Sequence, residues 1–81
     1  MEFTSANLAS CVHYHRKQSG LTRIELAKLE GVGKSAVFNL EHGKETIQLD
    51  TLLKILHVLN ISLLLQSPLM SSFKEQQNAA S

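Results

Sequence analysis

The stretch TRIELAKLEGVGKSAVFNLEHG, residues 22–43, contains two short helical patterns separated by a turn with two glycines. Thr22 followed three residues later by Glu25 is a capping box, which predicts the start of a short helix. A second helix of similar length is expected from Lys34 to His42, closed by Gly43. The stretch therefore predicts two short helices that are joined by a tight turn and pack at a steep angle.

The flanking sequence predicts one more helix on each side of this pair. Thr4 is a candidate N-cap for a helix that ends at Ser19-Gly20. Asp50 is a candidate N-cap for a helix with an apolar face that ends near Asn60. We therefore expect four helices and a Leu-rich core in one domain, residues 1–66.

The last part of that domain, residues 61–66, is apolar with partial alternation, which predicts a short strand. No second strand is predicted in the chain, and a lone strand leaves its backbone donors unpaired. Pairing with the same strand of a second copy solves this and predicts a homodimer. The side chains expected at that contact are Ile61, Leu63, Leu64 and Leu65. Residues 67–81 are mostly polar, which predicts a flexible tail.

Composition limits the function classes without choosing one. The 81 residues suffice for one compact core. Eight Lys and Arg against seven Asp and Glu give a net charge of +1, far from the strongly basic balance of a nonspecific nucleic-acid coat protein. A single cysteine, no signal-peptide pattern and no apolar run near 20 residues predict a cytoplasmic protein without a membrane partner.

Cys11, His13 and His15 form the only pattern that suggests a metal or catalytic site. Cys11 and His15 share one face of a helix, but two ligands do not make a metal site. They also lie on the apolar stripe with Leu8 and Val12, which favours a packed thiol and a half-buried imidazole without access for a substrate. We expect no catalytic residues, no metal and no cofactor.

Residues from the first helix to the end of the third resemble the signature of the Xre and phage Cro/repressor family of helix-turn-helix proteins. The matching pattern is Arg16-x3-Gly20-Leu21-Thr22-x2-Glu25-Leu26-Ala27-x3-Gly31-Val32-x4-Val37-x2-Leu40-Glu41-x-Gly43. With the fourth helix, the resemblance covers roughly residues 5–60. It implies an all-α, compact four-helix, lambda-repressor-like domain. It also implies an ion pair between Arg16 and Glu41 that ties the first helix to the end of the third.

In a helix-turn-helix the second helix of the pair enters the DNA major groove. Base edges are then expected to be contacted by Lys34, Ser35, Phe38 and Asn39. Lys34 suits guanine acceptors, Asn39 suits an adenine edge, and Phe38 either contacts a thymine methyl or packs on a loop. Contacts to phosphates are expected from Thr22, Arg23, His42 and Lys44.

The short length, the strand after the fourth helix and the polar tail are similar to those of HipB-type antitoxins. This resemblance implies a homodimer that binds an inverted-repeat DNA operator, represses its own operon and neutralises a HipA-like kinase toxin. Two alternatives remain open. One is a stand-alone Xre-type repressor, and the other is a protein-interaction module without a toxin, which the weak net charge favours slightly.

Overall fold

The structure is a computed structural model that describes residues 1–80, with side chains to residue 78. It is all-helical, and the described chain contains five helices: α1 (Ser5–Gln18), α2 (Arg23–Leu29), α3 (Lys34–Glu41), α4 (Leu49–Val58) and α5 (Met70–Ala80). The first four confirm the predicted helices, whereas the expected count of four is wrong. No described helix has the length and apolar character needed to cross a bilayer.

The starts of α1 and α2 form where their sequences predict. Thr4 Oγ1 accepts a hydrogen bond from the backbone N–H of Asn7 at 3.0 Å. At α2, Thr22 N–H donates to Glu25 Oε1 at 2.9 Å and Glu25 N–H donates to Thr22 Oγ1 at 3.1 Å, which is a complete capping box. The bond from the Thr22 backbone lowers the pKa of the Glu25 carboxyl, because it stabilises the charged form.

The turn between α2 and α3 depends on Gly31, whose φ of +66° lies in the left-handed region. Its backbone directs the chain so that Val32 N–H donates to the Ala27 carbonyl at 2.9 Å, which closes the end of α2. The two helices of the pair are thereby held by the backbone itself, and α3 is set at a fixed angle to α2.

The core lies between α1, α2, α3 and α4 and is entirely aliphatic. The side chains that solvent does not reach, or barely reaches, are Val12, Leu26, Val37, Leu40, Ile55 and Leu56. Because Val37 and Leu40 face this core, the other side of α3 faces outward. Core packing therefore fixes which residues of α3 are available for binding.

The helix α4 begins two residues earlier than predicted. Its N-cap is Gln48, not Asp50. Asp50 lies in the first turn, where its carboxylate accepts a hydrogen bond from Thr51 N–H at 2.8 Å and lies near the positive end of the helix dipole. An aspartate stabilises a helix start in either position, so its presence alone did not identify the boundary.

The segment after α4 differs from the prediction in two ways. Ile61 N–H donates to the Leu56 carbonyl at 2.9 Å and its side chain packs against the core, but residues 62–66 form no strand within the described chain. A strand requires a hydrogen-bonded neighbour, and a single copy offers none here. Pairing across a dimer stays a prediction.

The residues that follow were expected to form a flexible polar tail over 67–81, yet Met70–Ala80 is helical. This run has no Gly or Pro and is rich in Lys, Glu, Gln and Ala, which favour helix. Its described side chains are mostly exposed, as the polar composition predicted. Flexibility of the tail stays a prediction, and Ser81 lies outside the described residues.

Candidate nucleic-acid interface

A concave surface lies between the C-terminal half of α1, the start of α2 and the outer face of α3, with a volume of about 980 Å³. We call it the basic groove. Six of the eight residues predicted to contact DNA line it: Thr22, Arg23, Lys34, Ser35, Phe38 and Asn39. The fold therefore brings together side chains from two different helices of the predicted pair on one accessible face.

The basic groove concentrates the positive charge of the molecule. Four of the eight Lys and Arg line it, namely Arg16, Lys17, Arg23 and Lys34. None of the seven Asp and Glu does so among the described residues. Arg16 is 5% exposed and its charge is balanced by Glu41, so the positive charge that the groove presents comes from Lys17, Arg23 and Lys34. Such a surface attracts phosphate.

The other two predicted contacts lie beside the basic groove. His42 and Arg23 border one adjoining depression, and Lys44 and Asn39 border another. Because each shares a depression with a residue of the groove, the eight positions form one continuous surface. His42 and Lys44 are both exposed just after the end of α3.

Arg16 and Glu41 meet behind this surface in a bidentate ion pair. Arg16 Nε donates to Glu41 Oε2 at 2.6 Å, and Arg16 Nη2 donates to Glu41 Oε1 at 3.0 Å. The third nitrogen, Nη1, donates to the Leu21 carbonyl at 2.9 Å. The guanidinium therefore joins α1 to the α1–α2 loop and to the end of α3.

The Glu41 carboxylate is 1% exposed and serves more than one cation. His13 Nδ1 lies 2.7 Å from Oε1, and Arg23 Nε lies 3.4 Å from the same oxygen. Burial raises the pKa of Glu41, but the hydrogen bonds from Arg16 and His13 outweigh it, so the pKa lies below its ordinary value. The hydrogen bond between Arg16 and Glu41 also raises the pKa of Arg16.

Arg23 is held in place by weaker contacts. Its Nε is buried and has no hydrogen-bond partner, because the approach to Glu41 at 3.4 Å is poorly aligned. Its guanidinium lies over the Phe38 ring, 5.3 Å from the centroid. The rest of the side chain is partly exposed in the basic groove, where it is available to an anion.

Phe38 both packs within the protein and remains accessible. Its ring stacks on His42 with centroids 3.9 Å apart, and His42 Nδ1 lies 2.7 Å from the Phe38 carbonyl. The residue is still 47% exposed on the outer face of α3. The two interpretations of Phe38 are therefore compatible, since the stack fixes the ring and one part of it stays in contact with solvent.

Five lining residues were not predicted as DNA contacts or ion-pair residues from the sequence: His13, Lys17, Gly20, Leu21 and Ile24. His13 and Lys17 lie on α1, four residues apart and so on one helix face, and Ile24 lies in the first turn of α2. The helix-turn-helix pattern predicts DNA contacts from α2 and α3 only, so it assigns none to α1. The signal available was the position of Lys17 directly after Arg16 at the end of α1.

Cys11 and His15 are adjacent, with Sγ and Nδ1 3.6 Å apart. His15 Nδ1 also lies 2.6 Å from the Cys11 carbonyl oxygen, so that nitrogen is committed to the backbone. The described residues contain no group of three or more His, Cys, Asp or Glu that could hold a metal ion. The pair is best understood as part of the packing of α1.

Residues 12–66, which include every residue that lines the basic groove, match the protein family described as Helix-turn-helix. The chain is 35% identical over 65 residues to an uncharacterized HTH-type transcriptional regulator, y4mF, of Sinorhizobium fredii, covering 80% of this chain and 86% of that protein. It is 33% identical over 78 residues to the antitoxin HipB of Escherichia coli K12, covering 94% and 89% respectively.

Solved structures of HipB also resemble this chain. The chain matches a structure described as a HipB-O4 20mer complex with a TM-score of 0.74 and 31% identity, over 84% of this chain and 96% of that one. A structure of a HipA-HipB-O2-O3 complex matches with the same TM-score and identity. The fold and its arrangement of helices are therefore shared with proteins solved in complexes.

Proposed function

Because this chain belongs to the helix-turn-helix family of transcriptional regulators, we propose that it is a sequence-specific repressor that binds an inverted-repeat operator as a homodimer in the cytoplasm. The basic groove carries this proposal. It places the outer face of α3 and the start of α2 on one surface without a carboxylate among the described residues. Such a surface suits a helix inserted in a major groove with phosphates on either side.

Base reading is assigned to the exposed side of α3. Lys34 and Ser35 occupy its first turn, and Asn39 lies one turn further along the same face. Lys34 donates to guanine O6 and N7, and the Asn39 amide pairs with adenine N6 and N7. Phe38, already fixed by its stack with His42, contacts a thymine methyl.

Phosphate contacts are assigned to residues at the margins of this face. Arg23 follows the Thr22 cap at the start of α2, where free backbone N–H groups also favour an anion. His42 and Lys44 follow the end of α3 and contact phosphates of the DNA strand on the other side of the major groove. These contacts fix the position of α3 on the duplex and add affinity that depends on salt.

Operator binding is tested by gel shift and fluorescence anisotropy on fragments of the promoter upstream of the gene for this chain. We expect Lys34→Ala and Asn39→Ala each to weaken binding to the retained fragment by about 5- to 100-fold, as for loss of one bidentate base contact. Lys54→Ala is the matched control, because Lys54 is an exposed lysine on α4 away from the groove. Equal affinity of all three variants and the wild type would exclude this assignment.

The homodimer is proposed to form through residues 61–66. In one copy Leu64 and Leu65 are 82% and 81% exposed, and residues 62–66 make no backbone hydrogen bond within the described chain. Unpaired backbone groups next to exposed leucines are satisfied when two such segments pair about a two-fold axis. Leu63 and the core-packed Ile61 complete the contact.

We further propose that the chain is the antitoxin of a HipA-like kinase toxin and represses their shared operon. The support is similarity to HipB, including a structure in which HipB is combined with HipA and O2-O3. Co-expression with the product of an adjacent kinase-like reading frame should relieve growth arrest and yield a co-purifying complex. Operator binding without such rescue would favour a stand-alone repressor, a role consistent with the relative named only as a transcriptional regulator.

A further inference from the structure

We propose that His13 on α1 is an additional DNA contact, a phosphate ligand that binds only when its ring is protonated and that Glu41 holds in orientation. The inference rests on the proposed DNA binding and extends it to a third helix. His13 lies in the middle of α1, and its side chain, 46% exposed, lines the basic groove.

The orientation of the His13 ring follows from its contact with Glu41. The ionised carboxylate only accepts hydrogen bonds, so His13 Nδ1, 2.7 Å from Oε1, must carry the proton. Arg16 Nη2 lies 3.4 Å from the same nitrogen, but it donates to Glu41 and cannot also donate to an N–H. The ring is thus fixed at Nδ1, and its Nε2, on the far side, has no partner among the described residues.

The charges around His13 leave a place for an anion. On its own helix it is flanked by Arg16 and Lys17, and from α2 it is faced by Arg23. Lys34 and Glu41 of α3 and His42, directly after that helix, also border the depressions that His13 lines. The one carboxylate in this set is already shared with Arg16, so added positive charge at His13 has little to balance it until a phosphate arrives.

A bound phosphate favours the protonated form of the His13 ring. In the neutral ring, Nε2 presents a lone pair, which repels a phosphate oxygen. In the protonated ring, Nε2–H donates to that oxygen in a charge-assisted hydrogen bond. Histidine is the side chain that changes charge between pH 5 and 8, so DNA binding takes up a proton at each His13 and affinity rises as the pH falls through that range.

The test measures dissociation constants for a labelled 30-bp mixed-sequence duplex at pH 6.0 and pH 8.0, at one low ionic strength. A mixed sequence suffices because phosphate contacts act on any sequence. With one charge-assisted hydrogen bond in each of the two protomers, we expect the wild type to bind about 25- to 100-fold more tightly at pH 6.0 than at pH 8.0. His13→Gln, which can still donate to Glu41, should lose most of this ratio.

Two further variants, His13→Arg and His42→Gln, and one control complete the design. His13→Arg carries a permanent charge and should bind at pH 8.0 about as tightly as the wild type does at pH 6.0. His57→Gln is the control, since His57 is an exposed histidine on α4, outside the groove, and should keep the wild-type ratio. Thermal unfolding of each variant verifies that it is folded at both pH values.

The outcomes separate this inference from the proposed function. A wild type that does not bind the duplex at either pH removes the proposed DNA binding itself. A wild type whose pH ratio is unchanged in His13→Gln overturns the role of His13 and leaves DNA binding intact. A ratio that disappears in His42→Gln but not in His13→Gln assigns the proton to His42 and likewise overturns the inference.

Discussion

Glu41 is the residue on which the geometry of the interface depends most. One carboxylate at the end of α3 accepts hydrogen bonds from Arg16 and His13 on α1 and attracts Arg23 on α2. Because the carboxylate is buried, its hydrogen bonds are shielded from water and hold the three helices in one arrangement. A residue behind the basic groove thus determines how the residues that line the groove are arranged.

Replacing this carboxylate should reduce stability strongly. Glu41→Gln keeps the size of the side chain but leaves the Arg16 guanidinium, 5% exposed, without a counter-charge. Breaking one side of a buried ion pair costs about 3 to 5 kcal/mol in the free energy of unfolding. Urea denaturation at pH 7 measures the loss, and Glu75→Gln, at an exposed position on α5, serves as the control with no expected change. A Glu41→Gln protein as stable as the wild type would show that the pair contributes no net stability.

The same residue predicts how stability depends on pH. The pKa of Glu41 in the folded protein lies below its ordinary value of 4.5, since the hydrogen bonds from Arg16 and His13 outweigh burial. A lowered carboxyl pKa contributes stability that is complete above the ordinary value and is lost as the pH falls through the folded value. We expect the free energy of unfolding of the wild type to decline below about pH 5, as measured by urea titrations from pH 7 to pH 3.

The control for that prediction is the Glu41→Gln variant, whose stability should decline less steeply over the same interval. Glu25, whose pKa is also lowered, contributes to the wild-type slope and remains in this variant, so the slope should shrink without disappearing. An unchanged slope in Glu41→Gln would assign the acid sensitivity to other carboxyls.

At the scale of elements, the turn between α2 and α3 makes a comparison within the chain possible. Gly31 has a φ of +66° and Gly33 has a φ of −72°, and an added Cβ would meet no atom within 4 Å at either position. The difference between Gly31→Ala and Gly33→Ala is therefore conformational. We expect Gly31→Ala to lower the free energy of unfolding by about 1 to 2 kcal/mol. Gly33→Ala should change it by about 0.5 kcal/mol or less. Thermal and urea unfolding measure both, and equal effects would contradict the role of the left-handed backbone.

The helices that surround the interface could be predicted from the sequence because each carries local signals. The Thr22–Glu25 capping box and the glycine of the turn mark boundaries through hydrogen bonds made within a few residues. The predicted start of α4 lies two residues after the observed start, because Asp50 is favourable both as a cap and in the first turn. The helix α5 was not predicted, because a polar segment with few apolar residues is expected to stay unordered, whereas its composition favours helix.

The candidate site, like the helices, could be predicted from the sequence only where local signals define it. The residues of α2 and α3 follow from the geometry of the helix pair, and Arg23, Lys34 and Asn39, which were expected on one face, line the basic groove. His13 was not predicted there, because its place in the groove depends on a contact with Glu41, 28 positions away in the sequence. Such long-range contacts arise from the packing of α1 across the core, and no local pattern encodes them.

At the scale of the whole molecule, the segment 61–66, exposed from residue 62 onward, predicts the oligomeric state. Replacing both Leu64 and Leu65 with Asp places like charges opposite each other across the proposed strand pair. Both side chains are more than 80% exposed in one copy, so the fold of the protomer should persist. We expect the wild type to sediment as a dimer and this variant as a monomer at micromolar concentration. Leu49→Asp, at an exposed position on α4, is the control and should stay dimeric.

Dimerisation in turn should control operator affinity. The α3 of this chain is eight residues long, so each protomer contacts only a few base pairs. When two protomers are joined rigidly, the translational and rotational entropy of binding is lost once for two half-sites, which raises the affinity of the pair. We expect the Leu64→Asp, Leu65→Asp protein to bind a full inverted repeat at least ~100-fold more weakly than the wild type in fluorescence anisotropy. On a duplex with a single half-site the two proteins should bind alike, because the basic groove of each protomer is intact. A variant that is monomeric and still binds the full repeat as tightly as the wild type would show that one groove suffices, and that the apolar segment serves another partner.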